Sequence, residues 1–374
     1  MQEWVMKTRI YSGCDSFQRL SEIQSKKVWV VCDPFLKDSE TLGKLLSHID
    51  SSNQVEIFSD VVPEPPIEKV ALGLGVITRF NPHIVIAIGG GSAIDQTKGI
   101  VFVMRQLLGD EVPNFEKMIA IPTTSGTGSE ATSVFVLSDP KEQRKYPVFH
   151  PSVSPDEAIL NPELILSCPP SVTAFSGMDV LSHGLEALVS LGANTYTDAL
   201  AEKAIELVFK NLKTCVDQGN NLEARALMHE ASCLAGMSFD AAGLGICHAI
   251  SHQVGAIFHL PHGMVNAMLL PPVVEYNSQN PRACKKYAEV ARKIGLASIH
   301  QSDKMAVRLL INRIQALGKE VSCPMKLSER GIKGVDAKAA MDEVVRNTPS
   351  DVTFAGNPII PNSEDIRKIY LAIL

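Results

Sequence analysis

The chain has 374 residues, 45% of them hydrophobic and 20% charged, with a formal net charge of −6. A length beyond what one hydrophobic core supports predicts two packed domains, and the ordinary composition excludes a disordered or low-complexity chain. Mild acidity leaves no electrostatic footprint for nucleic acid or an anionic membrane surface, so a small molecule is the expected partner.

No apolar run reaches the roughly 18–20 residues of a membrane span, and residues 1–9 lack the apolar core of a signal peptide. A soluble, cytoplasmic protein is expected. Eight cysteines spread from Cys14 to Cys323 without a CxxC pair. They read as reduced, mostly buried thiols rather than a disulfide framework or a thiolate zinc site.

In chain order, KVWVVC at 27–32 is a β-rich apolar run ended by Asp33-Pro34, which predicts a buried strand and a turn. Leu42, Leu45, Leu46 and Ile49 then keep helical spacing, strands follow at 55–58 and 84–88, and a helix lies between them at 67–80. Alternation of this kind predicts a parallel α/β sheet. Short strands at 118–121 and 134–138 continue it, and the sheet is expected to finish near Asn161-Pro162. Beyond Pro169-Pro170 the stretches 198–212, 222–237 and 304–317 carry helical periodicity without a convincing strand. The reading is an α/β domain over 1–166 with a Rossmann-like parallel sheet, and an all-helical domain over 167–374.

Gly89-Gly90-Gly91-Ser92-Ala93-Ile94-Asp95 follows a strand and precedes a helix, where glycines let a phosphate approach backbone N–H groups. It departs from the G-x-G-x-x-G fingerprint at Ile94, and it suits equally well a tight turn with Ser92 as helix cap and Asp95 in the first turn. A second loop, PTTSGTGSE at 122–130, is dense in hydroxyls and glycine, and two such loops at strand ends can close on one dinucleotide. Asp33 is placed to accept hydrogen bonds from a ribose and to repel a 2′-phosphate, which favours NAD over NADP. As an isolated Asp-Pro it also reads simply as a turn.

Asp179 and His183 in GMDVLSH are four apart, on one helix face with metal-ligand spacing. Four of the ten histidines fall at His248, His252, His259 and His262, a density that satisfied core histidines do not account for. One aspartate with three histidines suits iron(II) or zinc(II).

Together GGGSAID at 89–95, AIPTTSGTGSEAT at 120–132, GMDVLSHGLEA at 177–187 and GICHAISHQVGAIFHLPHG at 245–263 resemble the iron-dependent alcohol dehydrogenase family over nearly the whole chain. The resemblance implies the dehydroquinate synthase-like fold, a dinucleotide-binding first domain, a helical metal-binding second domain and a cleft between them. It implies NAD(H) and Fe2+, or Zn2+, as cofactors, with Asp179, His183, His248 and His262 as ligands and His252 beside substrate and nicotinamide. It places Asp33 at the ribose, Gly89, Gly90, Gly91 and Ser92 at the pyrophosphate with Asp95 beside them, and Thr123, Thr124, Thr132, Val134 and Lys145 around the rest of the nucleotide. Gln96 stands where family members often carry alanine or threonine.

TRIYSG at 8–13, KYPVF at 145–149, TDALAEKA at 197–204 and AIFHLPHG at 256–263 are most similar to the branch that reduces propanal in propanediol-utilisation microcompartments. The expected substrates are therefore short aldehydes and primary alcohols, with Ala256, Ile257, Phe258 and Leu260 as apolar cleft residues. A homodimer or larger homo-oligomer and microcompartment partners are also implied. The competing readings are a polyol dehydrogenase of the same fold, a metal hydrolase, which would not need two nucleotide loops, and a catalytically silent scaffold.

Overall fold

The computed structural model describes residues 5–63, 65–108, 114–139 and 144–374, the side chains of Leu108, Arg144 and Lys145 excepted. The chain forms two compact units, Met1–Cys168 and Pro169–Leu374.

In the first unit six parallel strands form one sheet. They are β1 (Arg9–Ser12), β2 (Lys27–Cys32), β3 (Gln54–Phe58), β4 (Ile84–Gly89), β5 (Lys117–Pro122) and, after the hairpin described below, β8 (Glu157–Leu160), in the order β1-β8-β5-β4-β2-β3. Strand β2 shows why a continuous apolar run becomes an inner strand. Val28, Val30 and Cys32 pack in one layer with Leu42 and Leu45 of helix α1 (Glu40–Ser47), while Trp29 and Val31 pack on the other with α2 (Ile67–Phe80) and α3 (Gly91–Leu108). Each of those five side chains is fully buried, and each contributes about 1.5–3 kcal/mol of apolar burial.

Between β2 and β4 the strand order reverses, because the chain leaves β2 for β3 and returns to the opposite side. Crevices outside the carboxyl ends of strands at such a reversal are where open α/β sheets bind ligands. Here those ends carry Asp33 and Gly89–Gly91.

Residues 134–138, expected as a further strand of this sheet, instead belong to an antiparallel hairpin of β6 (Val134–Asp139) and β7 (Arg144–Phe149). The reason is connection length. Four residues join the two strands, and a parallel pair needs a crossover of a dozen or more. Strands β1 and β8, four residues each, are too short to show a period in sequence, and β1 had not been anticipated.

The second unit is helical throughout: α4 (Pro170–Val189), α5 (Thr195–Asp217), α6 (Leu222–Ala242), α7 (Ile246–Phe258), α8 (His262–Asn277), α9 (Pro281–Lys293), α10 (Asp303–Glu320), α11 (Gly334–Asn347) and α12 (Ser363–Leu371). Helix α4 is buried on all sides from Gly177 to Val189, so it runs through the core rather than over it. Helix α8 starts hard against it, since a Cβ on Gly263 would stand 2.2 Å from the Phe175 carbonyl oxygen. Glycine is what permits this approach, and the approach brings His262 to the face of α4 that carries Asp179. Helix α7 ends on His259, left-handed at φ 52° and exposed, which turns this histidine outward while the chain reverses into α8.

No single helix among the described residues is long and apolar enough to cross a membrane. Helices α6 and α7 combine that length with that apolarity only as a pair, bent by 107°, and their apolar residues lie in the core of this unit.

Candidate metal centre and nucleotide loops

Asp179, His183 and Glu186 follow one another at i, i+4 and i+7 along α4, one face of a helix. Against that face, α7 brings His248 and α8 brings His262. Single ligand atoms of Asp179, His248 and His262 lie within 4.8 Å of one another: Asp179 Oδ1 is 3.9 Å from His248 Nε2 and 3.8 Å from His262 Nε2. Metal bonds of about 2.1 Å in a tetrahedral array set ligand atoms about 3.4 Å apart, so the two separations from the carboxylate stand within about half an ångström of coordination spacing. His183 lies beside the trio, its ring parallel to that of His248 at 4.8 Å and packed on Phe239 at 4.6 Å.

One polar atom marks the focus of these groups. The side-chain nitrogen of Asn266 donates to Asp179 Oδ1 at 2.7 Å and lies 3.1 Å from His248 Nε2 and 3.0 Å from His262 Nε2. An amide has two hydrogens for these three acceptors. Three lone pairs aimed at one point, those of Asp179 and His248 buried and that of His262 partly so, are what a divalent cation requires, and a carboxylate with imidazoles is the donor set of iron(II) or zinc(II). The residues therefore fit the metal.

Contacts behind the trio orient the rings. Both Nε2 atoms face the Asn266 amide nitrogen, an arrangement that suits a lone pair on Nε2 and the ring proton on Nδ1. His248 Nδ1 lies 2.5 Å from Glu186 Oε2, and Glu186 Oε1 accepts from the Cys247 N–H at 2.7 Å, at the N-terminus of α7. Burial pushes the Glu186 carboxyl up to about 7, against the backbone N–H bonds of residues 245, 247 and 248. Burial likewise pushes His248 down to about 4, so its ring is neutral, the form that binds a metal. His262 Nδ1 lies 3.4 Å from Ser251 Oγ.

His252, on α7 one turn beyond His248, stacks on His262 at 5.1 Å with 16° between the rings, and its Nδ1 is 2.7 Å from Asp351 Oδ2. Leu260, expected beside the substrate, is instead 8% exposed in the core of the helical unit.

In the first unit, Gly90 N–H donates to Asp33 Oδ2 at 3.0 Å. A Cβ on Gly89 would meet that oxygen at 2.4 Å, which is why the loop needs glycine there. Burial raises the Asp33 carboxyl, opposed by the Gly90 N–H. Beside it, Thr123 N–H donates to the Gly89 carbonyl at 2.9 Å, so Thr123 and Thr124 lie alongside the glycines.

Helix α3 begins at Gly91, so Ser92 is its second residue and not its cap. Asp95, expected beside the phosphates, turns inward: Oδ1 accepts from Ser129 Oγ at 2.6 Å and Oδ2 from Val136 N–H at 3.0 Å. Lys98, fully buried, donates to the Thr132 and Val134 carbonyls at 2.8 Å each. Together Asp95 and Lys98 clasp α3 to the segment that carries Thr132 and Val134. The side chain of Lys145 lies outside the described residues.

Glu186, Asn266 and Asp351 had not been anticipated from sequence. Two of them carried a signal. Glu186 continues the i, i+4, i+7 face of Asp179 and His183, and Asn266 lies four residues after His262. Asp351, 99 residues from His252, carried none.

A sheet with glycine loops at its reversal and a helical unit focusing carboxylate and imidazoles on one point are the parts of an enzyme that uses a dinucleotide and a metal. Comparison with known proteins agrees. The family model for iron-containing alcohol dehydrogenase matches residues 7–162, and that for the Fe-containing alcohol dehydrogenase family, C-terminal, matches 173–374. The chain is 43% identical to the 1-propanol dehydrogenase PduQ of Salmonella typhimurium over 374 residues, the whole of both proteins. It is similar to the crystal structure of a 1,3-propanediol oxidoreductase, with a TM-score of 0.91 and 30% identity over 100% of each chain. It is also similar to the sulfoacetaldehyde reductase of Bifidobacterium kashiwanohense solved with NAD+, with a TM-score of 0.87 and 27% identity over 100% of this chain and 98% of that one. The chain belongs to the iron-containing alcohol dehydrogenase family and is an oxidoreductase.

Proposed function

We propose that this protein reduces propanal and neighbouring short straight-chain aldehydes to primary alcohols with NADH, and that Asp179, His183, His248 and His262 hold the iron. The convergence of three ligand atoms on the point occupied by the Asn266 amide nitrogen carries the metal assignment. Full-length similarity to a 1-propanol dehydrogenase supports the substrate.

The chemistry supplied by the bound groups is polarisation of the carbonyl oxygen by the metal and carriage of hydride by the nicotinamide. The chain's own residues place and protonate. Gly89, Gly90, Gly91 and Ser92 receive the pyrophosphate on the N-terminus of α3, and Asp33 receives the ribose and disfavours a 2′-phosphate. Thr123, Thr124, Thr132, Val134 and Lys145 complete the nucleotide site, with the Asp95 and Lys98 clasp holding Thr132 and Val134 in place. Glu186 keeps the Nε2 lone pair of His248 toward the metal. The charged ring of His252, with a proton on each nitrogen, gives the one on Nε2 to the nascent alkoxide oxygen in reduction, and the neutral ring takes it back at Nε2 in oxidation, so that aldehyde, hydride and proton sum to alcohol. A microcompartment setting and a homo-oligomeric state belong to the same reading by similarity.

Two measurements test this. His248→Ala and His262→Ala are expected to lose bound metal and activity while keeping the helical circular-dichroism signal. Full metal occupancy with near-normal turnover in either variant rejects the ligand assignment. For substrate, kcat/KM is expected to be highest for propanal and graded for ethanal and butanal, since one methylene is worth about 1–3 kcal/mol in an apolar pocket. Preference for lactaldehyde or dihydroxyacetone moves the protein to the polyol branch.

A further inference from the structure

The segment after α11 makes two short 3-10 turns, Thr348–Ser350 and Phe354–Gly356, and holds Asp351 between them. Asp351 is fixed at both oxygens. Oδ1 accepts from the Thr353 N–H at 2.9 Å and from the Thr353 hydroxyl at 2.7 Å, and Oδ2 faces His252 Nδ1 at 2.7 Å. Both side chains of the pair are largely enclosed, His252 at 12% and Asp351 at 6% exposure. Burial by itself would raise the Asp351 carboxyl, but the bond and charge of His252 and the two bonds from Thr353 outweigh it and hold the group at about 2.

An ionised carboxylate accepts hydrogen bonds and donates none, so the atom facing it must be an N–H. That leaves the lone pair of the neutral ring on Nε2. The contact with Asp351 selects this orientation of the ring, which also stacks on His262.

We propose that Asp351 is a positioning residue for the alcohol dehydrogenase reaction, acting through His252 by keeping its ring proton on Nδ1 and presenting Nε2 as the proton-exchanging atom. The inference rests on the reading of His252 given above. It differs from a structural anchor in what it forbids: an acceptor of the same shape that can also donate would admit the other neutral tautomer, whose Nε2 already holds the ring proton and can take none from the alcohol in oxidation. Orientation of this kind also decides rate when a carboxylate steers a catalytic imidazole in hydrolases.

Asp351→Asn keeps the shape and removes the obligatory acceptor. In the metal-loaded enzyme it is expected to lower kcat for 1-propanol oxidation about 10- to 100-fold, with KM for 1-propanol, NAD+ affinity and metal content within about twofold of the unaltered enzyme. Asp351→Glu is expected to restore part of the loss. In a His252→Ala background, Asp351→Asn is expected to cost nothing further, because the residue acts only through the ring. In zinc-loaded protein with 15N-labelled histidine, the His252 signals should show Nδ1–H in the unaltered chain and a shift toward Nε2–H in Asp351→Asn. Additive losses in the double variant, or unchanged His252 nitrogen signals in Asp351→Asn, overturn the proposal. Absence of aldehyde reduction by the unaltered, metal-loaded enzyme overturns the functional reading instead, and the nitrogen signals then still decide whether Asp351 sets the tautomer.

Discussion

Glu186→Gln is the substitution that tests how the metal centre is held together. The glutamate has two oxygens, one on the Cys247 N–H at 2.7 Å and one on His248 Nδ1 at 2.5 Å, and is buried to 2% exposure. Glutamine is nearly isosteric but offers one acceptor and one donor. If its oxygen stays on Cys247, an NH2 faces an N–H, and relief requires the His248 proton to move to Nε2, the atom that must bind the metal. If the amide is reversed, the Cys247 N–H loses its acceptor in a place water does not reach. Either way one buried donor goes unsatisfied, at a cost of about 1–3 kcal/mol.

Expressed as metal affinity, this agrees with the 10- to 100-fold that outer partners of ligating histidines typically contribute. The assay is competition between apo-protein and a chromophoric chelator for zinc or cobalt, with the melting temperature of the apo-protein read beside it. Metal affinity within about twofold of the unaltered chain and an unchanged melting temperature would show that the carboxylate does not set the tautomer, and the reasoning from Glu186 to the metal would fail.

Asp33 holds the glycine loop through Gly90, and the proposed function gives it a second, separable action, repelling a 2′-phosphate. Asp33→Asn should keep NADH affinity and lose discrimination against NADPH, because Asn still accepts from Gly90 but carries no charge; a charge pair about 4 Å apart is worth about 1–4 kcal/mol between water and a protein surface. Asp33→Gly should lose both, and equal binding of NADPH by the unaltered protein would exclude the role. Glu157, 3% exposed and paired with Arg19 at 2.7 Å and Lys117 at 2.8 Å, has a lowered pKa: burial raises it, and the two cations outweigh that. Its pairing therefore stabilises the fold above the ordinary glutamate pKa and is lost as pH falls through the lower folded value. Glu157→Gln should be less stable than the unaltered chain in urea at pH 7, with the gap closing below about pH 4.5; a gap independent of pH would show that charge is not what Glu157 contributes.

Much of this was legible along the chain, wherever physics acts locally. Strand β2 announces itself because an inner parallel strand is buried on both faces and so tolerates no polar residue in Val28–Cys32. Asp179 and His183 are legible because an α-helix returns to the same face every three to four residues. The glycine loop shows as a strand-to-helix turn because three consecutive glycines follow a buried strand, although the direction taken by Asp95 does not: it turns toward Ser129 and Val136, which only the packing of α3 on the hairpin brings near. The hairpin itself was misassigned because strand propensity at 134–138 is the same whichever neighbour the strand finds, and the neighbour is settled by the length of the connection.

What the sequence determined by itself was the alternation of strand and helix in the first unit, the helical character of the second, the family, and the carboxylate and imidazoles of the metal centre. Tertiary structure decided which of four clustered histidines faces inward, because a left-handed turn at His259 and the missing side chain of Gly263 aim His262 at α4 and leave His259 in solvent. It also decided which atoms of those rings are free to act. Tautomers depend on partners such as Glu186 and Asp351, 62 and 99 residues from the histidines they hold, and no periodicity along a chain records a hydrogen bond across that distance.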